Sequence, residues 1–453
     1  MNTVPGQNPA RVPPKEAAQA GGAKESAAAA RRARFGFAEP SIWTDRMLEA
    51  LEKGVKGDVW FSLIDKVVRP STLASAWECV RKNRGAGGVD GQTVEQFERK
   101  SAMYLAGLHE VLTTGKYVPS LILRKYIPKE PGKMRPLGIP TIRDRVVQTA
   151  LRQVIEPIFE VSFSPRSFGF RPNRGCKDAL RVVSAKLHAG YCYVVDADLK
   201  SYFDTIPHDK LMKLVRMKIA DGSVLGLLEA FLKQGVLEEM REWIPEKGTP
   251  QGAVISPLLA NLYLDPLDKL MEAAGREMIR YADDFVVMCK SRAEAESVLA
   301  EVRTWTVEAG LTLHPEKTKI VNVNEKGGFD FLGYHFERGM RWPRAKSLDK
   351  LKDKIRAVTP RKSGNCLEFT IVRINRTLRG WFEYFKHSIA NELEKVDKWI
   401  RMRLRAILRK RLGSHRSPYG KAHRMWPNAY FEKAGLFNLK RARALFVQSL
   451  CVH

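Results

Sequence analysis

At 453 residues the chain is long enough for two or three domains, and 44% of its residues are hydrophobic, enough for substantial cores. Its apolar runs are short and interrupted, which excludes a bilayer-spanning helix. The six cysteines lie far apart without a CxxC pair, which argues against a zinc module and for reduced thiols in a cytosolic setting. They are Cys79, Cys176, Cys192, Cys289, Cys366 and Cys451.

The positive charge is concentrated in the last quarter of the chain. Residues 341–453 contain 28 Lys and Arg against 8 Asp and Glu, so this segment carries +20 of the total net charge of +27. Such a surface releases counterions when it binds a polyanion. The distribution predicts a nucleic-acid partner, with an anionic membrane surface as the weaker alternative.

The N-terminal half predicts a tail followed by mixed elements. Residues 1–42 are rich in Ala, Gly, Pro and Arg and are predicted to be disordered, with an organelle transit peptide as a minor alternative. Helical periodicity runs from about residue 43 to 82, and the turn-rich segment 83–91 then interrupts it. A strand over 121–127, a turn over 128–133 and a helix over 142–159 follow.

Three aspartates are predicted to end neighbouring strands. Residues 191–198 alternate as a strand does, which places Asp196 and Asp198 on one face at its end. Residues 277–281 and 285–289 predict a β-hairpin with Asp283 and Asp284 at its tip. Taken singly, each aspartate is more often a turn former than a metal ligand. Carboxylates on one face repel one another unless solvent or a cation separates them.

Helical spacing returns from residue 371. Apolar residues recur at 371, 374, 378, 382 and 385, and again at 396, 400, 404 and 408. Arginines lie beside both stripes, which predicts amphipathic helices with an apolar inner face and a basic outer face. The arginine rows would contact phosphates.

The carboxylates of Asp198, Asp283 and Asp284 are hard oxygen ligands, which Mg²⁺ prefers. Two such ions can activate a hydroxyl nucleophile and hold a leaving group during nucleotidyl transfer. The sequence contains no HExxH pattern or nucleophile elbow that would indicate a competing site.

Six sequence blocks resemble reverse transcriptases encoded by group II introns, also called maturases, in that family's order. Tyr281-Ala282-Asp283-Asp284 resembles its YADD box, and 194–208 resembles its first catalytic motif. The others are 167–172, 248–261, 310–319 and 331–334. The resemblance begins near residue 43 and covers nearly all of the remaining chain.

The resemblance implies a role for each matching residue. Asp198, Asp283 and Asp284 would be catalytic and would coordinate two Mg²⁺ ions, with Mn²⁺ as an alternative. The implied deoxynucleotide-binding residues are Lys129, Arg135, Phe203, Gln251, Gly252 and Lys317. Phe203 would exclude a ribose 2′-hydroxyl, although a core aromatic is a fair rival, and Lys317 could be a general acid. The turn Phe331-Leu332-Gly333 would grip the primer.

The C-terminal segment around 378–385 resembles the maturase domain, which binds intron RNA. The arginine rows on the predicted helices supply the expected RNA-binding residues, which are Arg376, Arg379, Arg401, Arg405 and Arg409. The resemblance implies an α+β right-hand polymerase with an antiparallel palm sheet. Its fingers and palm would occupy 43–335, and an all-α thumb/maturase domain 345–453. Its partners would be intron RNA, an RNA template, a DNA primer and deoxynucleotides. The end at residue 453 resembles the endonuclease-lacking bacterial class, expected in the cytoplasm with the nucleoid rather than in an organelle.

Two other functions remain open at this point. One is an RNA-binding splicing cofactor whose polymerase site has decayed, although the aspartates, Gln251 and Phe203 are all in place. The other is a domesticated reverse transcriptase that serves in phage defence, which the maturase-like segment makes the weaker alternative.

Overall fold

The computed structural model describes residues 27–130, 132–239, 241–360, 364–413 and 420–451. Its helices, in chain order, are α1 27–34, α2 Asp45–Lys53, α3 Ile64–Val67, α4 Pro70–Asn83, α5 Val94–Arg99, α6 Ser101–Thr113, α7 Ile142–Glu160, α8 Cys176–His188, α9 Tyr202–Thr205, α10 His208–Arg216, α11 Gly222–Leu232, α12 Ser256–Ala273, α13 Arg292–Glu308, α14 Ala345–Val358, α15 Leu367–Phe385, α16 Ala390–Arg411, α17 Lys421–Met425, α18 Asn428–Lys433 and α19 Leu439–Cys451.

The strands of the described residues form three sheets. They are β1 Ile122–Glu130, β2 Lys133–Ile139, β3 Tyr193–Asp198, β4 Val236–Glu238, β5 Arg241–Trp243, β6 Glu277–Tyr281, β7 Asp284–Cys289, β8 Lys319–Asn322, β9 Phe329–Phe331, β10 Tyr334–Glu337 and β11 Met340–Pro343. The sheets have the orders β2-β1-β4-β5, β6-β7-β3-β8 and β11-β10-β9.

The N-terminal segment is ordered further upstream than its composition predicts. Residues 27–34 are helical, and Phe35 and Ile42 are buried in the main core. Arg32 also pairs with Asp45 at 2.7 Å. The prediction of disorder is therefore wrong for 27–42, because two apolar anchors outweigh the Ala- and Gly-rich background; residues 1–26 lie outside the described residues.

Two other local predictions need correction. The helical periodicity over 43–82 is divided into α2, α3 and α4, with Gly57 at φ +71° in the break between the first two. The turn predicted over 128–133 is shorter, because β1 continues through Pro128 to Glu130 with a register irregularity there. Proline is tolerated at such irregular, edge-like positions of a sheet. The helix predicted over 142–159 is confirmed as α7.

The central sheet β6-β7-β3-β8 is antiparallel throughout and buries both faces. Alternate residues such as Val195 and Phe285 pack into the main core together with α12 and α13. Val194 and Val286 point to the opposite face, where α8 and the β9–β11 sheet cover them. This period-two pattern confirms the predicted antiparallel palm sheet and places Asp196 and Asp198 on the second face.

The described residues of 345–451 form helices joined by turns and loops and contain no strand, as the all-α prediction expects. Helices α14 to α19 enclose a separate apolar core that includes Ile355, Ile374 and Leu404. The end of α15 also contacts the palm, where the Phe385 and Tyr334 ring centroids lie 4.9 Å apart.

The structure agrees with the predicted thiol state. All five cysteine side chains that it describes are free thiols. Among the described helices, none combines the length and the apolar character needed to cross a bilayer.

Candidate active site

The predicted aspartates lie at one edge of the central sheet. Asp198 ends β3 and is paired in register with Asp284, the first residue of β7. Asp283 precedes Asp284 in a two-residue turn in which Ala282 adopts φ +59°. Directly opposed residues of antiparallel strands have Cβ atoms about 5 Å apart. The structure thus brings together the strand end and the hairpin tip that the sequence predicted.

A buried arginine that the sequence analysis missed holds this turn. The Arg280 side chain is fully buried and donates to both carboxylate oxygens of Asp268, with Nε at 2.9 Å from Oδ1 and Nη2 at 2.5 Å from Oδ2. Its Nη1 donates to Ala282 O and to Asn261 Oδ1, both at 2.9 Å. The α12 residues Asp268 and Asn261 therefore fix the backbone that presents Asp283 and Asp284.

The block 167–172 supports the same turn from outside the sheet. Phe168 N donates to Arg280 O at 2.9 Å, and Asn261 Nδ2 donates to Gly169 O at 2.8 Å. A Cβ on Gly169 would lie 2.2 Å from Ala282 N, so no other residue fits without a backbone shift. Arg171 secures this block through a buried ion pair with Glu160 at 2.8 Å.

The carboxylates raise one another's proton affinity. Burial, reinforced by Asp196, Asp283 and Asp198, raises the pKa of Asp284 to about 7. Burial likewise raises the pKa of Asp196 to about 6, with Asp330 and Asp198 adding to the shift and Lys319 opposing it. Asp196 therefore belongs to the acidic cluster, although the sequence analysis assigned it no role. A divalent cation would relieve this repulsion.

The cluster suits a hard cation in its chemistry. Its donors are carboxylate oxygens, the ligands that Mg²⁺ prefers. Asp198 Oδ2 instead accepts a hydrogen bond from Lys317 Nζ at 2.5 Å. In this conformation, no three acidic, histidine or cysteine side chains among the described residues converge as tightly as a bound ion requires. A cation would therefore compete with Lys317 for Asp198.

Two of the predicted nucleotide-binding residues, Arg135 and Gln251, meet between the palm and the sheet β2-β1-β4-β5, which we call the fingers sheet. Arg135 Nε on β2 donates to Gln251 Oε1 at 2.9 Å, and Gln251 Nε2 lies 3.5 Å from Asp204 Oδ2. Asp204 was missed, although it follows Phe203 directly. A cavity of about 610 Å³ adjoins this group and is lined by β1, β2 and residues 243–251. The side chain of Lys129 lies outside the described residues.

Gly252 permits a close approach between its loop and β2, and its predicted contact with a nucleotide stays a prediction. Its φ is +113°, and a Cβ there would lie 2.3 Å from Gly138 O on β2. Gly138 N in turn donates to Gln251 O at 2.6 Å. Because Gly252 has no side chain, the loop that contains Gln251 and Gly252 packs directly against β2.

The position of Phe203 is compatible with a core aromatic and with a residue that excludes a ribose 2′-hydroxyl. It belongs to the main core and is only 8% exposed. Its ring packs edge-on against Phe170, with centroids 6.4 Å apart, and Phe170 is 48% exposed. The pair forms an aromatic ridge next to Asp204, and its role in excluding a 2′-hydroxyl stays a prediction.

The predicted primer grip is a tight turn fixed by the helical domain. Leu332 and Gly333 have φ values of +47° and +85° between β9 and β10. Leu332 O accepts from Tyr384 Oη at 2.6 Å, and Gly333 O accepts from Arg344 N at 3.0 Å. The Phe331 side chain is fully buried beneath this turn, and the primer-grip role of the turn stays a prediction.

The predicted RNA-binding arginines divide into two groups. Arg376 and Arg379 are exposed on α15. Arg401, Arg405 and Arg409 are buried, so the prediction of an outer basic row on α16 is wrong. Their neighbours α17 and α18 cover this side of α16: Arg405 Nε donates to Trp426 O at 2.9 Å and its guanidinium lies 5.3 Å from the Phe431 ring centroid.

Comparison with known proteins agrees with this architecture. Residues 127–336 match the family Reverse transcriptase (RNA-dependent DNA polymerase). Residues 348–426 match the Group II intron, maturase-specific domain.

Several curated proteins are similar over long segments. Protein YkfC of Escherichia coli (strain K12) is 37% identical over 320 residues, which cover 61% of this chain and 83% of YkfC. The Group II intron-encoded protein LtrA of Lactococcus lactis subsp. cremoris is 36% identical over 234 residues, covering 50% of this chain and 38% of LtrA. The Putative COX1/OXI3 intron 2 protein of Saccharomyces cerevisiae is 37% identical over 171 residues, covering 37% of this chain and 20% of that protein.

The aligned segment therefore spans well under half the length of LtrA. The two adjacent domains, in the order seen in the fold, nevertheless fix the classification. The chain belongs to the group II intron reverse transcriptase and maturase family.

Proposed function

We propose that the chain is an RNA-directed DNA polymerase that extends a DNA primer with deoxynucleotides on an RNA template. The observation that carries this proposal is the register that sets Asp198 directly opposite Asp284, with Asp283 in the adjoining turn. Three carboxylates at one sheet edge, beside a cleft that contains Arg135 and Gln251, form a site suited to nucleotidyl transfer.

Asp198, Asp283 and Asp284 would hold two Mg²⁺ ions, with Mn²⁺ as an alternative. Bound there, the ions would supply a lowered pKa at the primer hydroxyl and charge neutralisation at the leaving pyrophosphate. The raised pKa of Asp284 supports this assignment, because a divalent cation would offset the burial and the neighbouring carboxylates that raise it.

The surrounding residues would orient the substrates. Arg135 would use its remaining guanidinium hydrogens to bind the nucleotide phosphates, while Gln251 holds its Nε group. Lys129, which the family resemblance also implies, would add a second cation. Lys317, 57% exposed at its side chain, would leave Asp198 and donate a proton to pyrophosphate. Phe203 would lie against the sugar, and the Leu332–Gly333 turn would position the primer.

We further propose that the helical domain binds intron RNA and assists its splicing and mobility. The family match over 348–426 and the +20 charge of residues 341–453 support this role. Arg376 and Arg379, which are exposed, are the phosphate-binding candidates on α15. Such binding would keep the protein with nucleic acid in a bacterial cytoplasm.

Primer extension by the full chain tests the polymerase proposal. Wild type should extend a DNA primer on an RNA template when Mg²⁺ and deoxynucleotides are present. Asp198→Ala, Asp283→Ala and Asp284→Ala should each abolish extension while retaining affinity for the primer–template. Asp65→Ala, an exposed change on α3 outside the palm, is the matched control.

The same assay distinguishes the polymerase from the rival function, an RNA-binding cofactor. A wild-type chain that binds RNA but extends no primer would be an RNA-binding cofactor with an inactive polymerase site. Extension retained in one aspartate variant would remove that residue from the metal site.

A further inference from the structure

A small basic cavity lies where the palm meets the helical domain. It measures about 100 Å³ and is formed by α8, the β10–β11 hairpin and the end of α15. Five of its eight lining residues are basic and none is acidic. The basic residues are Lys177, Arg181, Arg341, Lys386 and His387. A cavity of this size has room for several waters or for one small anion.

Arg341, one of the cations that line this cavity, forms hydrogen bonds only with neutral acceptors among the residues that the structure describes. Arg341 Nη1 donates to Ser184 Oγ at 2.5 Å and its Nε to His387 O at 3.4 Å, both neutral acceptors. Within the described residues, no carboxylate lies at ion-pair distance from Arg341. Burial lowers the pKa of its guanidinium, and the nearby Tyr334 opposes this only weakly.

The carboxylates near the cavity are engaged outside it. Arg181 pairs with Asp178 at 2.5 Å, one turn away on α8. Lys386 pairs with Glu383 at 3.1 Å on α15. Neither acid lines the cavity, so the space that the four cations and the imidazole share has no acidic side chain in its lining.

The pKa of His387 reflects the positive charges around it. Burial and then the charges of Arg341, Lys386, Arg181 and Lys177 lower the pKa of His387 to about 4. Like charges held together are unfavourable unless an anion lies among them. Arg341 already lies in the cavity lining without an acid, whereas Arg181 and Lys386 would exchange their pairing with Asp178 and Glu383 for the anion.

We infer that this cavity binds a phosphate group of a nucleic-acid strand. The inference rests on the proposed function, which supplies strands rich in such groups, and deepens it by assigning a contact outside the catalytic cluster. Arg341 and Arg181 offer planar donor pairs that match phosphate oxygens, and Lys177 and Lys386 add point charges.

The cavity is linked to the primer-grip turn. Tyr334 and Tyr384 line it. Tyr334 Oη donates to Tyr384 O at 2.6 Å, and Tyr384 Oη donates to Leu332 O at 2.6 Å. A phosphate held here would therefore bridge palm and helical domain directly behind Leu332. The site would fix the strand and the turn together.

The double variant Lys177→Gln/Arg181→Gln tests the inference in the full chain. Both side chains are exposed, so the fold should persist, which circular dichroism checks. Lys213→Gln/Arg303→Gln, also exposed but on α10 and α13 across the palm sheet, removes the same charge. Equilibrium binding is measured without deoxynucleotides, once with a primer–template duplex and once with a structured intron RNA.

The cavity variant should bind at least one of these ligands about tenfold more weakly than the control, the size of one charged hydrogen-bond contact. Its slope of log K against log salt should also fall by about one. Inorganic phosphate, at constant ionic strength, should compete with that ligand for wild type and control but not for the cavity variant. The ligand that is weakened identifies the strand that supplies the phosphate.

Equal behaviour of the cavity and control variants with both ligands would overturn the inference. If the cavity and control variants differ in binding as expected but the wild-type chain extends no primer, the polymerase proposal is contradicted and the cavity assignment stands. The two failures are therefore distinguishable.

Discussion

Replacement of Arg280 by Met tests whether the catalytic turn depends on a buried ion pair. Arg280 is fully buried, and Asp268 is 4% exposed. The substitution keeps an unbranched side chain but leaves the Asp268 carboxylate without its cation. Removal of one partner from a buried pair costs about 3–5 kcal/mol, so the free energy of unfolding should fall by that amount.

Arg280→Met should also slow catalysis, because Ala282 O loses the donor that fixes the turn before Asp283. A displacement of about 1 Å at reacting groups lowers a rate by roughly a hundredfold. Urea denaturation followed by circular dichroism gives the stability, and single-turnover primer extension at a temperature where the variant is folded gives the rate.

Arg292→Met is the control, since the Arg292 side chain is 75% exposed and pairs with Glu296 along α13. Its stability should stay within about 0.5 kcal/mol of wild type. The reasoning is refuted if Arg280→Met loses less than about 1 kcal/mol, or if it extends primers at the wild-type rate.

Arg405→Met should lower the free energy of unfolding of the helical domain by about 1–3 kcal/mol, because it leaves the buried acceptor Trp426 O without its donor and removes the contact with the Phe431 ring; urea denaturation of the full chain measures this. Arg376→Gln/Arg379→Gln should instead leave the free energy of unfolding unchanged and reduce both RNA affinity and its salt dependence. If Arg405→Met weakened RNA binding and Arg376→Gln/Arg379→Gln did not, the arginine row on α16 would be the RNA contact. The pKa of Asp284, about 7 in the folded chain, exceeds the ordinary 3.8, so the folded state binds this proton more tightly. The free energy of unfolding of the metal-free chain should therefore decrease as pH rises from about 4 to 7, by up to about 4 kcal/mol, and Asp284→Asn should remove most of that decrease. Urea denaturation in EDTA at several pH values checks this, and equal pH dependence in the two proteins would contradict it.

The parts predicted well from sequence depend on short-range patterns. The alternation before Asp198 and the hairpin carrying Asp283 and Asp284 follow from period two and a turn, both of which are local. Arg135 and Gln251 were predicted in one site through family resemblance, and the structure joins them by a hydrogen bond.

The parts that failed depend on contacts between distant segments. Arg405 lies beside an apolar stripe, as a solvated residue would, but α17 and α18 bury it from the other side. No periodicity in α16 reveals those neighbours. Arg280 was missed because its partner Asp268 lies on another element. One signal was available, since an arginine between Ile279 and Tyr281 places a charge within a buried strand.

The proposed RNA-templated DNA synthesis depends above all on the carboxylates of Asp198, Asp283 and Asp284. Asp284→Asn tests it most directly, because it removes one negative charge and hardly alters side-chain size. The measurement is the single-turnover rate of adding one deoxynucleotide to a DNA primer on an RNA template in Mg²⁺. We predict a rate at least about a thousandfold below wild type, with primer–template affinity unchanged. A rate within tenfold of wild type would contradict the account.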